Sequence, residues 1–204
     1  MQALLSVSDK TGLIELAQKL HNLNIDLIAS GGTARAIREA GLPVRDVSDL
    51  TSVPEILGGR VKTLHPAIHG GILARDLASD QADLQSLDYA NIDLVVCNLY
   101  PFQRTASKPD IRLNDVLNQI DVGGPALLKA AAKNFERVVV VCETNKYEDL
   151  LWHLASKGEV PYETRFEWAK AAFEHVTAYD SMVYATLLEF DLATGQRISK
   201  SCRF

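Results

Sequence analysis

The sequence predicts an α/β fold in which helices cover a mostly parallel sheet. Within the first 47 residues, an apolar run, a polar turn and a helical repeat of apolar residues follow one another twice. Two later runs, at 93–99 and 137–142, are almost continuously apolar and rich in valine, which is typical of strands buried on both faces. The 204 residues are therefore expected to form one large domain with additional C-terminal helices.

The first two strand-turn-helix units open the chain. Strands are predicted at 3–7 and 26–29, and a weaker third strand at 44–47. Apolar residues at helical spacing follow the first strand, and a second helix ends at Gly41. Because ligands of parallel sheets bind at the carboxyl ends of the strands, the turns at this edge form the first candidate site.

Two polar turns lie at this edge. The turn at 30–33, Ser-Gly-Gly-Thr, opens a helix, where free N–H groups and the helix dipole favour a phosphate group and two hydroxyls add donors. The turn at 8–10, Ser-Asp-Lys, has the same placement and adds a cation. Helix capping explains either turn as well. Neither turn matches a Walker loop or a dinucleotide-binding fingerprint.

The segment 58–66, Gly-Gly-Arg-Val-Lys-Thr-Leu-His-Pro, concentrates cations and glycines. If it is extended, Arg60 and Lys62 share one face, which suits an anionic ligand because arginine grips phosphate with two N–H groups. A solvated basic loop explains the same residues. His65 and His69 stand four residues apart, but the proline between them and the lack of a following glutamate argue against a zinc site.

Polar residues also follow the later strands. Asn98 and Tyr100 end the run at 93–99 and suit contacts with a base or an amide, although each also suits a strand end or a packing role. Asp121 precedes Gly-Gly-Pro, a typical helix start, and is either a local cap or a poised carboxylate. Lys133 lies at the far end of that helix, where a cation complements the helix dipole.

The remaining segments are predicted to be scaffold. A surface helix is expected at 78–87, a loop at 105–111 and a helix at 113–120. Amphipathic helices at 147–156 and 163–192 are assigned to packing or to subunit contact.

The composition argues against several classes of function. A net charge of −5 disfavours general binding of nucleic acids or anionic membranes. No apolar run approaches the roughly 18–20 residues of a membrane span, and the N-terminus lacks the features of a signal peptide. The three cysteines, Cys97, Cys142 and Cys202, cannot all pair, which indicates reduced thiols and a cytoplasmic protein.

Several segments, in order, resemble the IMP cyclohydrolase domain of the bifunctional purine-biosynthesis protein. They are Ser-Val-Ser-Asp-Lys-Thr-Gly at 6–12, Ala-Ser-Gly-Gly-Thr at 29–33, the segment 58–66, Cys-Asn-Leu-Tyr-Pro-Phe at 97–102, Gln-Ile-Asp-Val-Gly-Gly-Pro at 119–125 and Ala-Ala-Ala-Lys-Asn at 130–134. The resemblance implies a methylglyoxal-synthase-like three-layer sandwich over 1–192. It also implies that 193–204 is a linker or truncated tail toward an absent formyltransferase domain.

The implied reaction is a dehydrative ring closure. In that reaction 5-formamidoimidazole-4-carboxamide ribotide (FAICAR) loses water and becomes inosine monophosphate (IMP). The resemblance implies no metal and no cofactor, and it suggests a homodimer whose small-molecule partners are FAICAR and IMP. We expect no formyl transfer from this chain, which is either an isolated domain or a naturally short protein.

The resemblance also implies roles for individual residues. The implied catalytic group is Lys62, Tyr100, Asp121 and Lys133. The residues implied to hold the ribose phosphate are Ser8, Asp9, Lys10, Ser30, Gly31, Gly32 and Thr33. Those implied to line the rest of the nucleotide are Arg60, Lys62, Thr63, Cys97, Asn98, Asp121, Val122 and Gly123.

Within the catalytic group, the chemistry suggests a division of roles. We expect Asp121 to orient or deprotonate the carboxamide and Lys62 to stabilise the oxyanion. Tyr100 and Lys133 are expected to relay protons. Phe135 stands where the family commonly has histidine, and we expect a change of local packing there without loss of activity.

Two alternatives remain open at this point. A methylglyoxal synthase shares the fold and the phosphate site, but the central segment and Asn-Leu-Tyr-Pro-Phe do not belong to that family. A regulatory domain that only senses nucleotides is the non-enzymatic alternative. Tight nucleotide binding without turnover would favour the sensor.

Overall fold

A single parallel sheet forms the centre of the computed structural model, which describes residues 1–108 and 110–198. Its strands are β1 Gln2–Val7, β2 Asp26–Ala29, β3 Arg45–Asp46, β4 Leu94–Asn98 and β5 Val139–Val141. They lie side by side in the order β3-β2-β1-β4-β5, and all four pairings are parallel. The predicted sheet is confirmed.

The register of the central strand explains where a site can form. In β1, Leu5 pairs with Ala29 of β2, and Val7 pairs with Asn98 of β4. The carboxyl ends of three neighbouring strands therefore meet at one edge, and the segments that follow them are brought together there.

Ten α-helices flank the sheet within the described residues. They are α1 Leu13–Asn22, α2 Gly31–Glu39, α3 Val47–Thr51, α4 Pro66–Leu73, α5 Ala78–Ser86, α6 Phe102–Ala106, α7 Leu113–Asn118, α8 Gly123–Lys133, α9 Tyr147–Lys157 and α10 Tyr162–Leu187. None of these helices has the length and apolarity that crossing a membrane requires, as far as the chain is described.

The helices fill both faces of the sheet because neighbouring strand residues point to opposite sides. Leu4 and Val95 face a core that includes residues of α4, α8 and α10, whereas Leu5 and Val96 face a core that includes residues of α1, α2 and α9. Both cores are dominated by fully buried aliphatic side chains, each worth about 1.5–3 kcal/mol of burial free energy. The expected three-layer sandwich is confirmed.

The sequence prediction missed three helices: α3, α4 and α6. The most consequential is α4, because two adjacent glycines lower its intrinsic helix propensity. A Cβ at Gly71 would lie 2.5 Å from the Ala90 carbonyl oxygen, so glycine is what lets α4 approach that segment closely. The loop expected at 105–111 contains the end of α6, and α10 ends at Leu187, before the predicted 192.

The carboxyl end of α4 is anchored by two side chains that follow α8. Asn134 donates to the carbonyl groups of Ile72 and Ala74, at 2.8 and 2.9 Å. Arg137 donates to the Ala74 carbonyl at 2.8 Å and forms an ion pair with Asp93 at 3.1 Å. Because α4 begins directly after the cationic segment, this anchor fixes where that segment leaves the sheet edge.

Candidate active site

One continuous cleft opens at the carboxyl edge of the sheet. Two cavities of about 550 and 560 Å³ share five lining residues and therefore adjoin; together they are called the cleft. The shared residues are Ser6, Ser30, Lys62, Asn118 and Asp121. The size is that of an ordinary small-molecule site.

The turn after β1 is held in place by Asn98. Its Oδ1 accepts hydrogen bonds from the backbone N–H groups of Ser8 and Asp9, at 2.8 and 2.9 Å, and its Nδ2 donates to the Asp9 carbonyl at 3.0 Å. The Thr33 hydroxyl is likewise bonded to both backbone groups of Val7. The Thr33 hydroxyl is therefore used in hydrogen bonds to the backbone of Val7. Asn98 stabilises the turn that follows β1 from the end of its own strand, which is the structural alternative that the sequence left open for it.

The amino end of α2 is the most cationic part of the cleft. A Cβ at Gly31, where φ is +53°, would lie 3.1 Å from the Lys62 Nζ. A Cβ at Gly32 would lie 3.6 Å from the Lys10 Nζ. Two ammonium groups therefore flank a helix N-terminus whose N–H groups and dipole also attract anions. Glycine leaves room for a ligand to reach this point.

The cationic segment is not extended at its start, so the condition under which Arg60 and Lys62 would share one strand face is not met. Residues 57–59 form a 3-10 turn with φ values of +54°, +65° and +84° at Leu57, Gly58 and Gly59. Arg60 has helical backbone angles of −69° and −22°. Positive φ at consecutive residues reverses the chain direction, which a strand cannot do. Arg60 and Lys62 nevertheless both line the cleft, and Arg60 donates to the Asn118 side chain.

Asp121 forms the opposite wall, just before α8. Its Oδ1 accepts from the Gly124 N–H at 2.9 Å, and its own N–H donates to the Tyr179 hydroxyl at 2.7 Å. A Cβ at Gly124 would overlap the Asp121 carboxylate and lie 2.6 Å from Leu99. The carboxylate is therefore locked beside a helix N-terminus, which stabilises its negative charge.

Two histidines lie at the start of α4. The Nδ1 of His65 accepts from the Ala67 N–H at 3.1 Å and so caps the helix. Burial lowers the pKa of His69, and the backbone of Thr63 partly opposes this shift. Within 1–108 and 110–198, no three His, Cys, Asp or Glu side chains come together as a metal site would need.

The structure brings most of the predicted site residues to the cleft. Those that line it are Ser8, Lys10, Ser30, Gly31, Gly32, Thr33, Arg60, Lys62, Thr63, Asn98, Tyr100, Asp121, Val122 and Gly123. Sequence reasoning missed Ser6, Asn118 and Gln119, which also line the cleft. Asn118 and Gln119 stand three and two residues before Asp121, and Ser6 and Gln119 each begin one of the segments that carry the resemblance, which were the available signals.

Two predicted binding residues lie just outside the cleft. The Asp9 carboxylate is exposed and accepts from the Thr11 N–H and hydroxyl, which lower its pKa, and it lines a neighbouring cavity instead. The Cys97 thiol is buried beneath the cleft floor, 3.8 Å from the Gly124 carbonyl oxygen. Burial raises the pKa of this thiol. Neither residue lines the cleft.

Lys133 is separated from the other three residues of the implied catalytic group. It ends α8, ten residues after Gly123, and an α-helix rises about 1.5 Å per residue, so the two positions lie about 15 Å apart. Its side chain is exposed at that end. The neighbouring Phe135 packs against Tyr162 and Phe166 of α10, with ring centroids 5.3 and 5.1 Å apart. Within this chain, α8 directs Lys133 away from the cleft.

Comparison with known proteins identifies the family and the fold of the chain. The MGS-like domain model matches residues 12–126, and the AICARFT/IMPCHase bienzyme model matches residues 131–203. The crystal structure of ForH superposes with a TM-score of 0.81 and 40% identity, over 92% of this chain and 98% of that one.

Curated relatives of this chain include bifunctional purine biosynthesis proteins. The bifunctional purine biosynthesis protein PurH of Synechocystis sp. is 56% identical over 98% of this chain and 40% of its own length. That of Xylella fastidiosa is 54% identical over 89% of this chain and 34% of its own length. The chain thus spans 40% or less of the length of these two relatives. It belongs to the MGS-like domain family, and within that family it matches the IMP cyclohydrolase part of the bifunctional purine biosynthesis proteins.

Proposed function

We propose that the cleft binds FAICAR and closes its second ring, forming IMP with loss of water. The observation that carries the proposal is that Lys62 and Asp121 line the same two cavities. A ring closure between an amide and a formamide needs both a proton acceptor and a cation, and this arrangement supplies both. The match to the IMP cyclohydrolase part of the bienzyme model supports the choice of substrate.

The ribose phosphate is assigned to the amino end of α2. The backbone N–H groups there and the Lys10 ammonium attract a phosphate monoester, whose charge is about −1.5 to −2 at pH 7. The Ser30 hydroxyl is at the same point. Binding the phosphate here directs the base of the nucleotide toward Asp121, with the Lys62 ammonium, which lies beside the first residue of α2, between the phosphate and the base.

Ring closure then proceeds in two steps. The carboxamide nitrogen attacks the formyl carbon, a nitrogen–carbon bond forms, and the nitrogen gives a proton to the Asp121 carboxylate. The formyl oxygen takes up negative charge beside the Lys62 ammonium, with the N–H groups at the start of α8 as further donors. The formamide nitrogen then gives up its proton and forms a double bond to the same carbon as the carbon–oxygen bond breaks. The oxygen leaves as water after taking up two protons, which balance the two released by the nitrogens, and Tyr100, which lines the cleft, is the candidate donor.

Lys133 of the same chain has no part in this scheme, because α8 holds it about 15 Å from Gly123, at the far end of the helix. The implied proton relay therefore reduces to Tyr100, solvent and the cleft lysines. A Lys133→Ala variant provides a direct comparison with Lys62→Ala, since both remove one lysine of the implied catalytic group.

The test follows IMP formation from FAICAR by ultraviolet absorbance. The wild type is compared with Lys62→Ala and with Lys19→Ala, a matched control. Lys62 forms an ion pair with Glu55 in the cleft, and Lys19 forms an ion pair with Glu15 on the outer surface of α1. Loss of one oxyanion-stabilising group typically lowers turnover by about 10²–10³, and we expect a loss of that size for Lys62→Ala and wild-type turnover for Lys19→Ala.

Two results would contradict the proposal. If the wild type binds IMP but makes none, the cleft senses nucleotides without catalysis. If Lys62→Ala retains full turnover, Lys62 does not stabilise the transition state and the reaction is carried by other groups.

We further propose that the chain acts as a cytoplasmic homodimer, with its substrate supplied by a formyltransferase. Free thiols at Cys97 and Cys142 fit a reducing compartment, and the bienzyme name joins the two activities in the relatives. Sedimentation equilibrium of the purified chain tests the dimer, and a purely monomeric protein at micromolar concentration would contradict it.

A further inference from the structure

An ion pair already occupies the cationic end of the cleft. The Glu55 carboxylate lies 3.1 Å from the Lys62 ammonium, and the two side chains are 40% and 32% exposed. The same carboxylate lies 3.9 Å from the position of a Cβ at Gly31, the first residue of α2. Glu55 thus places a negative charge at the point where we assign the anionic group of the substrate.

The backbone that carries Glu55 is held by few contacts. Leu57 adopts φ +54°, which is unfavourable for a branched side chain, and is 70% exposed. The bridge between Ile56 and Val61 contains a hydrogen bond of 3.5 Å, at the long limit for such bonds. In the described part of the chain, Lys62 is the partner that holds the Glu55 carboxylate. This loop can therefore move the carboxylate without disturbing the core.

We propose that Glu55 is a displaceable counter-ion of Lys62, which an anionic group of the substrate must replace. This inference rests on the proposed function, because that function places a phosphate at the amino end of α2. Two anions beside one partly exposed ammonium repel each other, which favours exchange of the carboxylate for the phosphate. Binding therefore removes the carboxylate from Lys62, and the ion pair lowers the affinity of the free protein for anions.

The opposite role for Glu55 is to hold Lys62 in position during turnover. In that case the carboxylate stays in place when the nucleotide binds, and its removal weakens binding and lowers turnover. The two roles predict opposite changes in affinity, so a single substitution distinguishes them.

The experiment measures binding of inorganic phosphate and of IMP by isothermal titration calorimetry. The variants are Glu55→Gln, which keeps the shape of the side chain, Glu55→Ala, which removes any remaining hydrogen bond, and Glu15→Gln as the matched control. Removing an exposed ion-pair partner changes affinity modestly, and we expect both Glu55 variants to bind phosphate and IMP about two- to fivefold more tightly than the wild type. Raising the salt concentration should shrink this difference, and Glu15→Gln should bind as the wild type does.

Unchanged or weaker binding by both Glu55 variants would overturn the inference. So would an absence of phosphate binding in the wild type and both variants, because a freed Lys62 would then attract no anion. Inorganic phosphate has no ring to close, so its binding tests the exchange separately from catalysis. Tighter phosphate binding in a protein that makes no IMP would refute the proposed function and leave the exchange of Glu55 standing.

Discussion

The two walls of the cleft are built in different ways. The helix wall, residues 121–124, is backed by the core, and both the N–H and the carboxylate of Asp121 are hydrogen-bonded. The loop wall, residues 55–63, is mostly exposed and contains three consecutive residues with positive φ. The cleft therefore combines a fixed carboxylate with adjustable cations. A fixed base suits an orienting role, because it loses little conformational entropy when the substrate binds.

The largest effect on the free energy of unfolding is expected from crowding the helix wall. In Gly124→Ala the added Cβ overlaps the Asp121 carboxylate and presses on Leu99, and overpacking of this kind costs about 1–3 kcal/mol. Urea unfolding measures the loss, and turnover should fall with it because the carboxylate must move. Gly70→Ala is the control, since its Cβ meets Leu84 at an ordinary 3.4 Å. An unchanged stability of Gly124→Ala would show that the helix wall is adjustable too.

A smaller effect is expected from the support behind Asp121. Tyr179→Phe removes the hydroxyl that accepts from the Asp121 N–H, which costs about 1 kcal/mol because a partly buried donor loses its partner. Turnover should fall a few-fold through a lower kcat with KM nearly unchanged. Tyr184→Phe, at a residue 66% exposed, should change neither quantity. If Tyr184→Phe loses as much stability as Tyr179→Phe, the loss comes from packing of α10 and not from the hydrogen bond to the Asp121 N–H.

The pH dependence of stability tests the junction between the loop wall and α4. Burial lowers the pKa of His69 in the folded state below its unfolded value of about 6.5, so the unfolded chain binds more protons. Stability from this residue is present above that pH and is lost as the pH falls through about 6.5. Urea unfolding at pH 7.5 and 5.5 should show a smaller drop for His69→Gln than for the wild type. Equal drops would mean that His69 is solvated.

The smallest effect concerns the thiols behind the helix wall. Burial raises the pKa of Cys97 and raises that of Cys142 to about 11, so neither forms much thiolate at pH 8. In a Cys202→Ser variant, a disulfide reagent should find no reactive thiol in the native protein and two in guanidinium chloride. Rapid native labelling would show that the helix wall opens readily.

The sequence was informative where local chemistry decides the structure. Continuous apolar runs predicted β4 and β5, and the turn at 30–33 was found because small residues follow a strand and open a helix. Parallel strand ends meet at one edge, so Lys10 and the turn at 30–33 were expected together, whereas the grouping of Lys62 and Asp121 was implied by the resemblance. Counting residues along α8 would also have separated Lys133 from Asp121.

Other features depend on contacts that the sequence does not display. The reversal at Leu57 requires positive φ at a residue that rarely adopts it, so the residues themselves do not indicate the turn. The helix α4 forms because Gly71 packs against Ala90, which is a tertiary contact. The pairing of Glu55 with Lys62 follows from the same reversal and was not foreseen.

The most direct test of the fixed helix wall is the Asp121→Asn variant, with IMP affinity and FAICAR ring closure measured on the same protein. The amide keeps the shape of the side chain and can still accept from the Gly124 N–H, but it cannot take up a proton from the carboxamide. We predict IMP affinity within a few-fold of the wild type and turnover lower by about 10²–10⁴, the usual contribution of a positioned general base. Near-normal turnover would contradict the role of Asp121, and loss of both binding and turnover would show that the helix wall does not hold its shape without the charge.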